Sequence, residues 1–372
     1  PDVAEANSLA LKAGNNLGDT METARNRYQV SKAAVHPGVY RKISGNEAAV
    51  YGLVVAAEKA NRELLYSGYP ITPASPILEG LSHLKKFGVK CVQAEDEIAA
   101  IGVAIGASFA GDLSVCATSG PGMCLKSEFI GLASITELPL IICNVQRGGP
   151  STGLPTKTEQ SDLLQALFSR HGDCPLPVVA AHSPSDCFDC AIEAVRIAIT
   201  YMTPVIFLSD LYVANGAEPW LVPNIGDLSE IENSFASTEE EYVIYRRDPD
   251  TLARKQAIPG QVGLEHRIGG LEKSEDGSVS YDPENHEKMT HLRAQKVAGI
   301  AKSYDPCEIQ GDSEGDLLVV GWGGTYGAIS SAVGLLRAEG YAVSNVHLRH
   351  LNPLPEDLGK ILGRFKKVLV PE

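Results

Sequence analysis

Two groups of side chains in this sequence have the types and spacing to do chemistry. An acidic run, Glu95, Asp96 and Glu97, precedes a stretch of small and apolar residues, and Arg147 lies among glycine, proline, serine and threonine. The guanidinium is a planar fork that suits a carboxylate, so Arg147 is our first candidate for binding a substrate acid group. The acidic run also has a plainer explanation, because carboxylates at a helix start interact favourably with the helix dipole. The residue pattern alone leaves both explanations of the acidic run open.

The acidic run opens a predicted helix within residues 93–111, QAEDEIAAIGVAIGASFAG. Spacings of three and four define an apolar row and a row of small residues. The apolar row is Ile98, Ile101, Ile105 and Phe109, and the small row is Ala99, Gly102, Gly106 and Ala110. A glycine inside a helix costs about 1 kcal/mol relative to alanine. We therefore expect the small row to admit another backbone or a cofactor at close range.

From residue 45 the chain alternates helices with short, almost continuously apolar strands. This pattern is typical of a parallel sheet covered by helices on both faces, and ligands bind such sheets at the carboxyl ends of the strands. Three loops rich in Gly, Pro, Ser and Thr follow predicted strands, at 69–75, 118–122 and 146–153. We expect these loops to form the site, although ordinary turn chemistry also accounts for their glycines and prolines.

Charge and hydropathy exclude several classes of protein. The 372 residues include 32 Lys and Arg against 46 Asp and Glu, a net charge of −14. Nucleic acids and anionic membranes therefore gain no general electrostatic attraction. The sequence has no run of about 18 apolar residues and no signal-peptide pattern, which predicts a cytoplasmic protein without a membrane span.

The eight cysteines lack the spacing of a disulfide scaffold or of an iron–sulfur cluster. Cys187 and Cys190 form a CxxC, but the surrounding sequence predicts a helix with Ser183 as its N-cap. We interpret this pair as helix packing rather than as a metal or redox site. Lys126 and Glu128, on the helix predicted after 118–122, are interpreted as a solvated pair.

Five segments in order resemble motifs of the α subunits of 2-oxoacid:ferredoxin oxidoreductases, most closely the 2-oxoglutarate type with a γ domain fused ahead of α. These segments are YPITPAS, QAEDEIAAIGVAIGASFAG, TSGPG, QRGGPSTGLPTKTEQ and LSD at 208–210. The resemblance implies an α/β fold and four regions. Residues 1–44 would be the tail of the upstream γ domain, 45–225 a pyrimidine-type thiamine diphosphate domain, 226–311 a polar insertion, and 312–372 an incomplete transketolase C-terminal-like domain.

The resemblance also implies roles for individual residues. Glu97 matches the glutamate that hydrogen-bonds the aminopyrimidine ring of thiamine diphosphate and promotes its reactive tautomer. Thr72 and Arg147 match residues that bind the oxo and carboxylate end of the substrate. Cofactor contacts are expected from Pro70, Ile71, Ser119 and Gly120. Within the insertion, Glu265, His266 and Arg267 are expected to cover the active site, with packing of the linker as an equal alternative.

The implied reaction is oxidative decarboxylation of a 2-oxoacid, with 2-oxoglutarate preferred, using CoA and ferredoxin and giving succinyl-CoA. The GDG and NN signature that binds Mg²⁺ and diphosphate does not occur in this sequence. The resemblance therefore implies that Mg²⁺ and a [4Fe–4S] cluster lie on a β subunit, within an (αβ)₂ heterotetramer. Pyruvate or a branched-chain 2-oxoacid is the alternative substrate. A nucleotide-binding dehydrogenase, suggested by GWGGTYG at 321–327, and a non-catalytic scaffold subunit are alternatives of other classes.

Overall fold

The computed structural model describes residues 2–21, 29–33, 35–239 and 241–372. These residues form two compact units, Pro1–Val39 and Tyr40–Glu372. The first unit contains helix α1 (Asp2–Met21), which has no buried residue. Residues 22–28, which follow this helix, lie outside the described part of the chain.

The second unit alternates strands and helices. Its strands are β1 (Tyr40–Ser44), β2 (Leu64–Gly68), β3 (Val89–Gln93), β4 (Leu113–Thr118), β5 (Leu140–Gln146), β6 (Val178–Ala180), β7 (Pro204–Asp210), β8 (Ala217–Leu221), β9 (Ile309–Gln310), β10 (Gly315–Trp322), β11 (Val343–Leu348), β12 (His350–Asn352) and β13 (Phe365–Leu369). Its helices are α2 (Gly45–Lys59), α3 (Ser75–Ser82), α4 (Glu97–Ala110), α5 (Gly120–Thr136), α6 (Leu163–Phe168), α7 (Asp186–Tyr201), α8 (Leu211–Asn215), α9 (Pro283–Gly299), α10 (Tyr326–Ala338) and α11 (Leu358–Leu362).

The main sheet has seven strands in the order β12-β6-β7-β5-β4-β2-β3. All its pairs are parallel except β12 with β6. Every residue of β4, β5 and β7 is buried, as the apolar strands predicted. The chain runs from β2 to β3 on one side and then to β4 on the other. The crevice between β2 and β4 is therefore the topological switch point, where such sheets bind ligands.

Helices cover both faces of this sheet, which confirms the predicted α/β fold. One core lies between the sheet and helices α2, α3 and α7, and the other between the sheet and helices α4 and α5. A second sheet, β13-β10-β11-β9, shares the latter core, since its Leu318 and Val346 belong to the same cluster as Ile142 and Ile206 of the main sheet. Strand β12 also joins the main sheet from the C-terminal region, so the two predicted α/β regions are packed together.

The residues before α7 are held both by the predicted cap and by a distant carboxylate. The helix begins at Asp186, and the hydroxyl of Ser183 accepts the amide of Asp186 at 3.4 Å, as expected of a capping residue. The hydroxyl of Ser183 donates to Glu218 Oε1 at 2.7 Å, and the same oxygen accepts the amide of Ser185. A carboxylate from β8 therefore accepts hydrogen bonds from the residues just before α7. Cys187 and Cys190 are buried on the helix, as expected for packing residues.

The polar insertion lies along the amino ends of the parallel strands. Arg254 is fully buried and donates to the carbonyl of Thr136, shortly before β5. Gln256 donates to the carbonyl of Ser108 at 2.7 Å, near the end of α4. Buried polar side chains require such partners. The insertion is thus fixed to the edge of the sheet opposite the loops that the sequence singled out.

A buried ion cluster completes this attachment. Glu137, just before β5, binds Arg247 of the insertion and Lys296 of α9, with Arg247 Nη1 at 2.8 Å from Glu137 Oε2. Lys296 also donates to the carbonyl of Met202 at 2.9 Å, just before β7. Burial alone would raise the pKa of Glu137, but the charges of Lys296 and Arg247 outweigh it and lower the pKa to about 2.

We expect Glu137→Gln to lower the free energy of unfolding at pH 7 by about 3 kcal/mol, because two buried cations lose their counter-charge. The folded-state pKa lies below the ordinary value of 4.5, so this stabilisation is complete above about pH 4.5 and is lost as the pH falls towards 2. Urea unfolding at pH 7 and pH 3 measures both effects. The matched control is Glu241→Gln, an exposed partner of Arg246, which should change stability by less than about 0.5 kcal/mol. Equal losses in the two variants would contradict the assignment.

Candidate functional site

The three predicted loops lie at one edge of the main sheet. Residues 69–75 follow β2, Ser119 and Gly120 follow β4, and Arg147 follows β5. Because β5, β4 and β2 are parallel neighbours, their carboxyl ends meet at this edge, around the switch point. Glu97, which follows β3 after a short turn, starts the adjacent helix.

The three acidic residues at this edge have different environments. Asp96 is the N-cap of α4, and its side chain accepts the amide of Ala99 at 2.8 Å. Glu95 and Asp96 are exposed, whereas Glu97 is only 8% exposed. No hydrogen bond to the carboxylate of Glu97 is formed within the described part of the chain. Helix capping therefore explains Asp96 but not Glu97.

Glu97 is buried against a glycine of the next helix. A Cβ atom on Gly122 of α5 would lie 1.9 Å from Thr118 Oγ1 and 2.9 Å from Glu97 Cγ. Only glycine fits there. The sequence had suggested close approach at Gly102 and Gly106 instead. In this chain a Cβ on Gly102 would make ordinary contact with the Phe129 ring, at 3.5 Å, and one on Gly106 would meet nothing within 4 Å.

Lys126 is not the solvated residue that the sequence suggested. Its side chain is fully buried, and Nζ donates to the backbone carbonyl of Glu97 at 2.8 Å. Burial lowers the pKa of Lys126. Glu128, its expected partner, is exposed. The prediction of a solvated pair was wrong because the side chain of Lys126 extends under α4 rather than along its own helix.

Arg147 and Thr72 are brought together, through the main chain of Thr72. The guanidinium is 6% exposed and donates to the carbonyl oxygens of Thr72 and Thr152. It therefore links the loop after β2 to the loop after β5. Nε of Arg147 is buried and has no hydrogen-bond partner among the described residues. Thr72 itself is at an exposed position.

The remaining predicted cofactor residues lie on the same edge. Pro70 is exposed and Ile71 half-buried, both in the loop that Arg147 holds. Ser119 is fully buried, yet its Oγ has no hydrogen-bond partner among the described residues. Gly120 faces Asp162, whose Oδ2 would lie 2.9 Å from a Cβ on that glycine.

Asp162 was missed by the sequence reasoning. Its carboxylate accepts from Asn144 Nδ2 at 3.0 Å, and its amide donates to Gln146 Oε1. Burial raises the pKa of Asp162. Its position beyond a polar loop gave no signal, because only the fold places 162 beside the turn after β4.

Glu265, His266 and Arg267 do not lie near Glu97 in this chain. The ring of His266 packs edge-on against Phe109, with centroids 5.6 Å apart, at the far end of α4. Twelve helical residues separate Phe109 from Glu97, about 18 Å along the axis. Linker packing, the alternative, describes the position of this segment within the chain, and a covering role at the site stays a prediction. The segment belongs to the insertion that follows the amino edge.

The glycine turn after β10 has the predicted strand–turn–helix form, but its polar groups are occupied. The amide of Gly324 donates to Gln160 Oε1 at 3.1 Å, and a Cβ on Gly323 would lie 2.7 Å from the same oxygen. The carboxylate of Asp210 lies against Gly324. A dinucleotide phosphate would need this space and these amides. The dehydrogenase alternative therefore loses its structural basis.

Two kinds of feature are absent from residues 2–21, 29–33, 35–239 and 241–372. No group of three or more His, Cys, Asp or Glu side chains there is arranged to hold a metal ion. In the same residues, no helix combines the length and apolar character needed to cross a membrane.

Comparison with known proteins identifies the family. The family described as "Pyruvate flavodoxin/ferredoxin oxidoreductase, thiamine diP-bdg" matches residues 56–282, more than half of the chain. The chain belongs to this family. Within it, the chain is 53% identical over its full length to "2-oxoglutarate oxidoreductase subunit KorA" of Mycobacterium tuberculosis, covering 57% of that protein. It is 37% identical to "2-oxoglutarate synthase subunit KorA" of Archaeoglobus fulgidus over 89% of this chain and 87% of the relative.

Solved structures of the family have the same fold. A 2-oxoglutarate:ferredoxin oxidoreductase from Magnetococcus marinus, solved with 2-oxoglutarate, coenzyme A and succinyl-CoA bound, superposes with a TM-score of 0.92 at 36% identity. The alignment covers all of this chain and 64% of that one. A split-gene transketolase superposes with a TM-score of 0.51 at 14% identity, covering 89% of this chain and 79% of that one, which indicates a related fold alone. This chain thus spans about 57% of the M. tuberculosis relative and 64% of the M. marinus chain.

We expect Gly122→Ala to destabilise the protein by about 1 to 3 kcal/mol, because the added methyl group overlaps Thr118 and Glu97 and forces one of them to move. Gly106→Ala is the matched control in the adjacent helix. Its site is open, so helix propensity alone should stabilise the isolated chain by up to about 1 kcal/mol. Urea unfolding of both variants gives the comparison. The same sign of change in both would show that the contact at Gly122 is not tight.

Proposed function

We propose that this chain is the catalytic α part of an enzyme that oxidatively decarboxylates 2-oxoglutarate, with CoA and ferredoxin, to succinyl-CoA, CO₂ and reduced ferredoxin. One observation carries the proposal: Glu97 is a buried carboxylate without a hydrogen-bond partner in the described chain, at the switch point of a sheet whose family is described as thiamine diphosphate-binding. The relatives named for 2-oxoglutarate support the choice of substrate.

The polar atoms at this edge fit a thiamine ring. Besides Glu97, two of the residues expected to contact the cofactor or the substrate have a buried polar atom with no partner among the described residues, namely Ser119 Oγ and Arg147 Nε. Buried polar groups of this kind are normally satisfied, so atoms left unpaired around one crevice suit a polar ligand. When bound, thiamine diphosphate supplies the carbanion chemistry of decarboxylation. We propose that Pro70, Ile71, Ser119 and Gly120 line its ring.

The residues of this chain would bind and orient the cofactor and the 2-oxoacid, and one of them would exchange a proton with the cofactor ring. Glu97 would hold the aminopyrimidine ring by a hydrogen bond to a ring nitrogen and share one proton with it. Arg147 would attract the carboxylate of the 2-oxoacid, and the loop that Arg147 fixes would place Thr72 beside the oxo group. Because Arg147 is already bonded to two loop carbonyls, its guanidinium is preorganised and little entropy is lost on binding.

Other components are proposed on partner chains. The relatives are named as subunits, which supports a β subunit, and we propose that it carries Mg²⁺ and the [4Fe–4S] cluster within an (αβ)₂ assembly. Ile98 and Val103 on α4 are 44% and 38% exposed beside the open Gly106, which supports a partner on this face. Eight free cysteines suit a reducing compartment and support the cytoplasm as the location.

Another 2-oxoacid remains the alternative substrate. Relatives from Aeropyrum pernix and Sulfurisphaera tokodaii, 34% and 31% identical, are named only as 2-oxoacid:ferredoxin oxidoreductase α subunits. The chain coexpressed with its β subunit should reduce a low-potential dye in the presence of CoA. Comparing kcat/KM for 2-oxoglutarate, pyruvate and a branched-chain 2-oxoacid decides the preference, and no reduction with any of them would reject the enzyme proposal.

We expect Glu97→Gln to lower kcat by about 100-fold or more in the assembled complex, since an amide cannot exchange the proton with the ring. Glu95→Gln, an exposed neighbour two residues earlier, is the control and should retain activity. Dye reduction measures both. A Glu97→Gln complex with nearly unchanged turnover would leave a scaffold role as the better explanation.

We expect Arg147→Met to raise KM for 2-oxoglutarate by about 100-fold, because losing one partner of a charge-assisted pair costs about 2 to 4 kcal/mol. Arg170→Met is a matched control, since Arg170 also donates to backbone carbonyls, those of Ala166, Leu167 and Cys174. Steady-state kinetics and thermal unfolding separate the two roles of Arg147. A loss of stability with no change of KM would mean that Arg147 only ties the loops together.

A further inference from the structure

Lys126 is an unusual residue to find beneath the proposed site. Its side chain is fully buried, and the carbonyl of Glu97 is the one acceptor within hydrogen-bond distance of Nζ in the described chain. An ammonium group has three N–H donors. Burying a charge that is only partly satisfied is unfavourable, and an apolar side chain of similar size often serves stability better. Stability alone therefore does not explain a lysine at this position.

The position of Lys126 on its helix directs it at Glu97. Gly122 and Lys126 are four residues apart on α5, so they lie on the same face of that helix. Gly122 leaves space for the side chain of Glu97, whose Oε1 would be 3.1 Å from a Cβ at that glycine. Lys126 reaches the backbone of the same residue. One face of α5 thus offers Glu97 both room and a positive charge.

Few other charged groups face the ammonium. Cys116 of β4 and the acidic residues Asp96 and Glu97 of α4 are the groups that act on it electrostatically. Burial raises the pKa of the Cys116 thiol, which keeps it neutral. Asp96 is exposed and engaged as the N-cap of α4. Glu97 is therefore the buried acidic group on which the charge of Lys126 acts most directly.

We propose that Lys126 is a positioning residue that fixes the backbone of Glu97 and thereby holds its side chain where the cofactor ring would bind. This proposal rests on the proposed function, in which Glu97 shares one proton with a ring nitrogen of thiamine diphosphate. Sharing a proton requires the carboxylate to stay within hydrogen-bond reach of the ring nitrogen, and a fixed backbone at Glu97 favours this.

The test uses Lys126→Met and Lys126→Gln in the complex assembled with its β subunit. Methionine removes the charge and the donor, whereas glutamine keeps a donor for the carbonyl of Glu97. We expect both variants to fold and assemble. Lys126→Met should bind thiamine diphosphate about tenfold more weakly, as measured by titration calorimetry, whereas Lys126→Gln should keep most of the wild-type affinity because it retains a donor.

Lys273→Met is the matched control. Lys273 is also buried, and its Nζ donates to the carbonyls of Gly269 and Leu271 in the insertion, at 3.1 and 3.0 Å. Its replacement should leave the affinity for the cofactor unchanged, whatever its effect on thermal stability. The control therefore separates loss of a buried lysine in general from loss of the contact with Glu97.

The outcomes are distinct. Wild-type affinity in Lys126→Met would overturn the proposal, and so would failure of both Lys126 variants to fold, which would make the residue structural. Equal weakening in Lys126→Met and Lys126→Gln would show that the hydrogen bond to Glu97 is not what matters, and would also reject it. Failure of the proposed function gives a different result, because Glu97→Gln would then bind the cofactor as tightly as the wild type.

Discussion

Helices α4 and α5 meet at a point where even a methyl group on Gly122 would not fit. This steric constraint buries Glu97 while its acidic neighbours stay in water, and it aligns Lys126 with the same residue. If α5 moved outward, Glu97 would become another solvated carboxylate at a helix start. The chemical character of the site therefore depends on how closely two helices approach.

The two edges of the main sheet differ in what covers them. At the amino edge, the polar insertion satisfies backbone carbonyls with buried Arg254 and Gln256 and pairs Glu137 with two cations. Both edges hold buried polar atoms without partners among the described residues, such as Arg247 Nε in the insertion and Ser119 Oγ and Arg147 Nε at the carboxyl edge. The carboxyl edge differs because its unpaired atoms lie at the switch point, where a ligand would satisfy them. The amino edge is thus covered by the insertion, and the carboxyl edge is suited to binding.

Much of the fold was predictable because its signals are local. Continuous apolar strands with glycine-rich or proline-rich loops at their ends indicated a parallel sheet, and the loops at 69–75, 118–122 and 146–153 do meet at one edge. Predictions that depended on distant partners were less successful. Lys126, interpreted as half of a solvated pair, is buried because it donates to the carbonyl of Glu97, far back along the chain. The segment around His266 packs at the end of α4 distant from Glu97, and nothing in its sequence specifies which edge of the sheet it follows.

By itself the sequence determined the α/β class, the loops of the site, and, through its motifs, the family and the candidates Glu97, Thr72 and Arg147. Periodicity and turn residues act over a few positions, so they can be read along the chain. Only the tertiary structure showed that Glu97 is buried while Asp96 caps the helix, and revealed Lys126 and Asp162 beside the site. Burial and the identity of a hydrogen-bond partner depend on residues brought together by the fold, and no local pattern encodes that proximity.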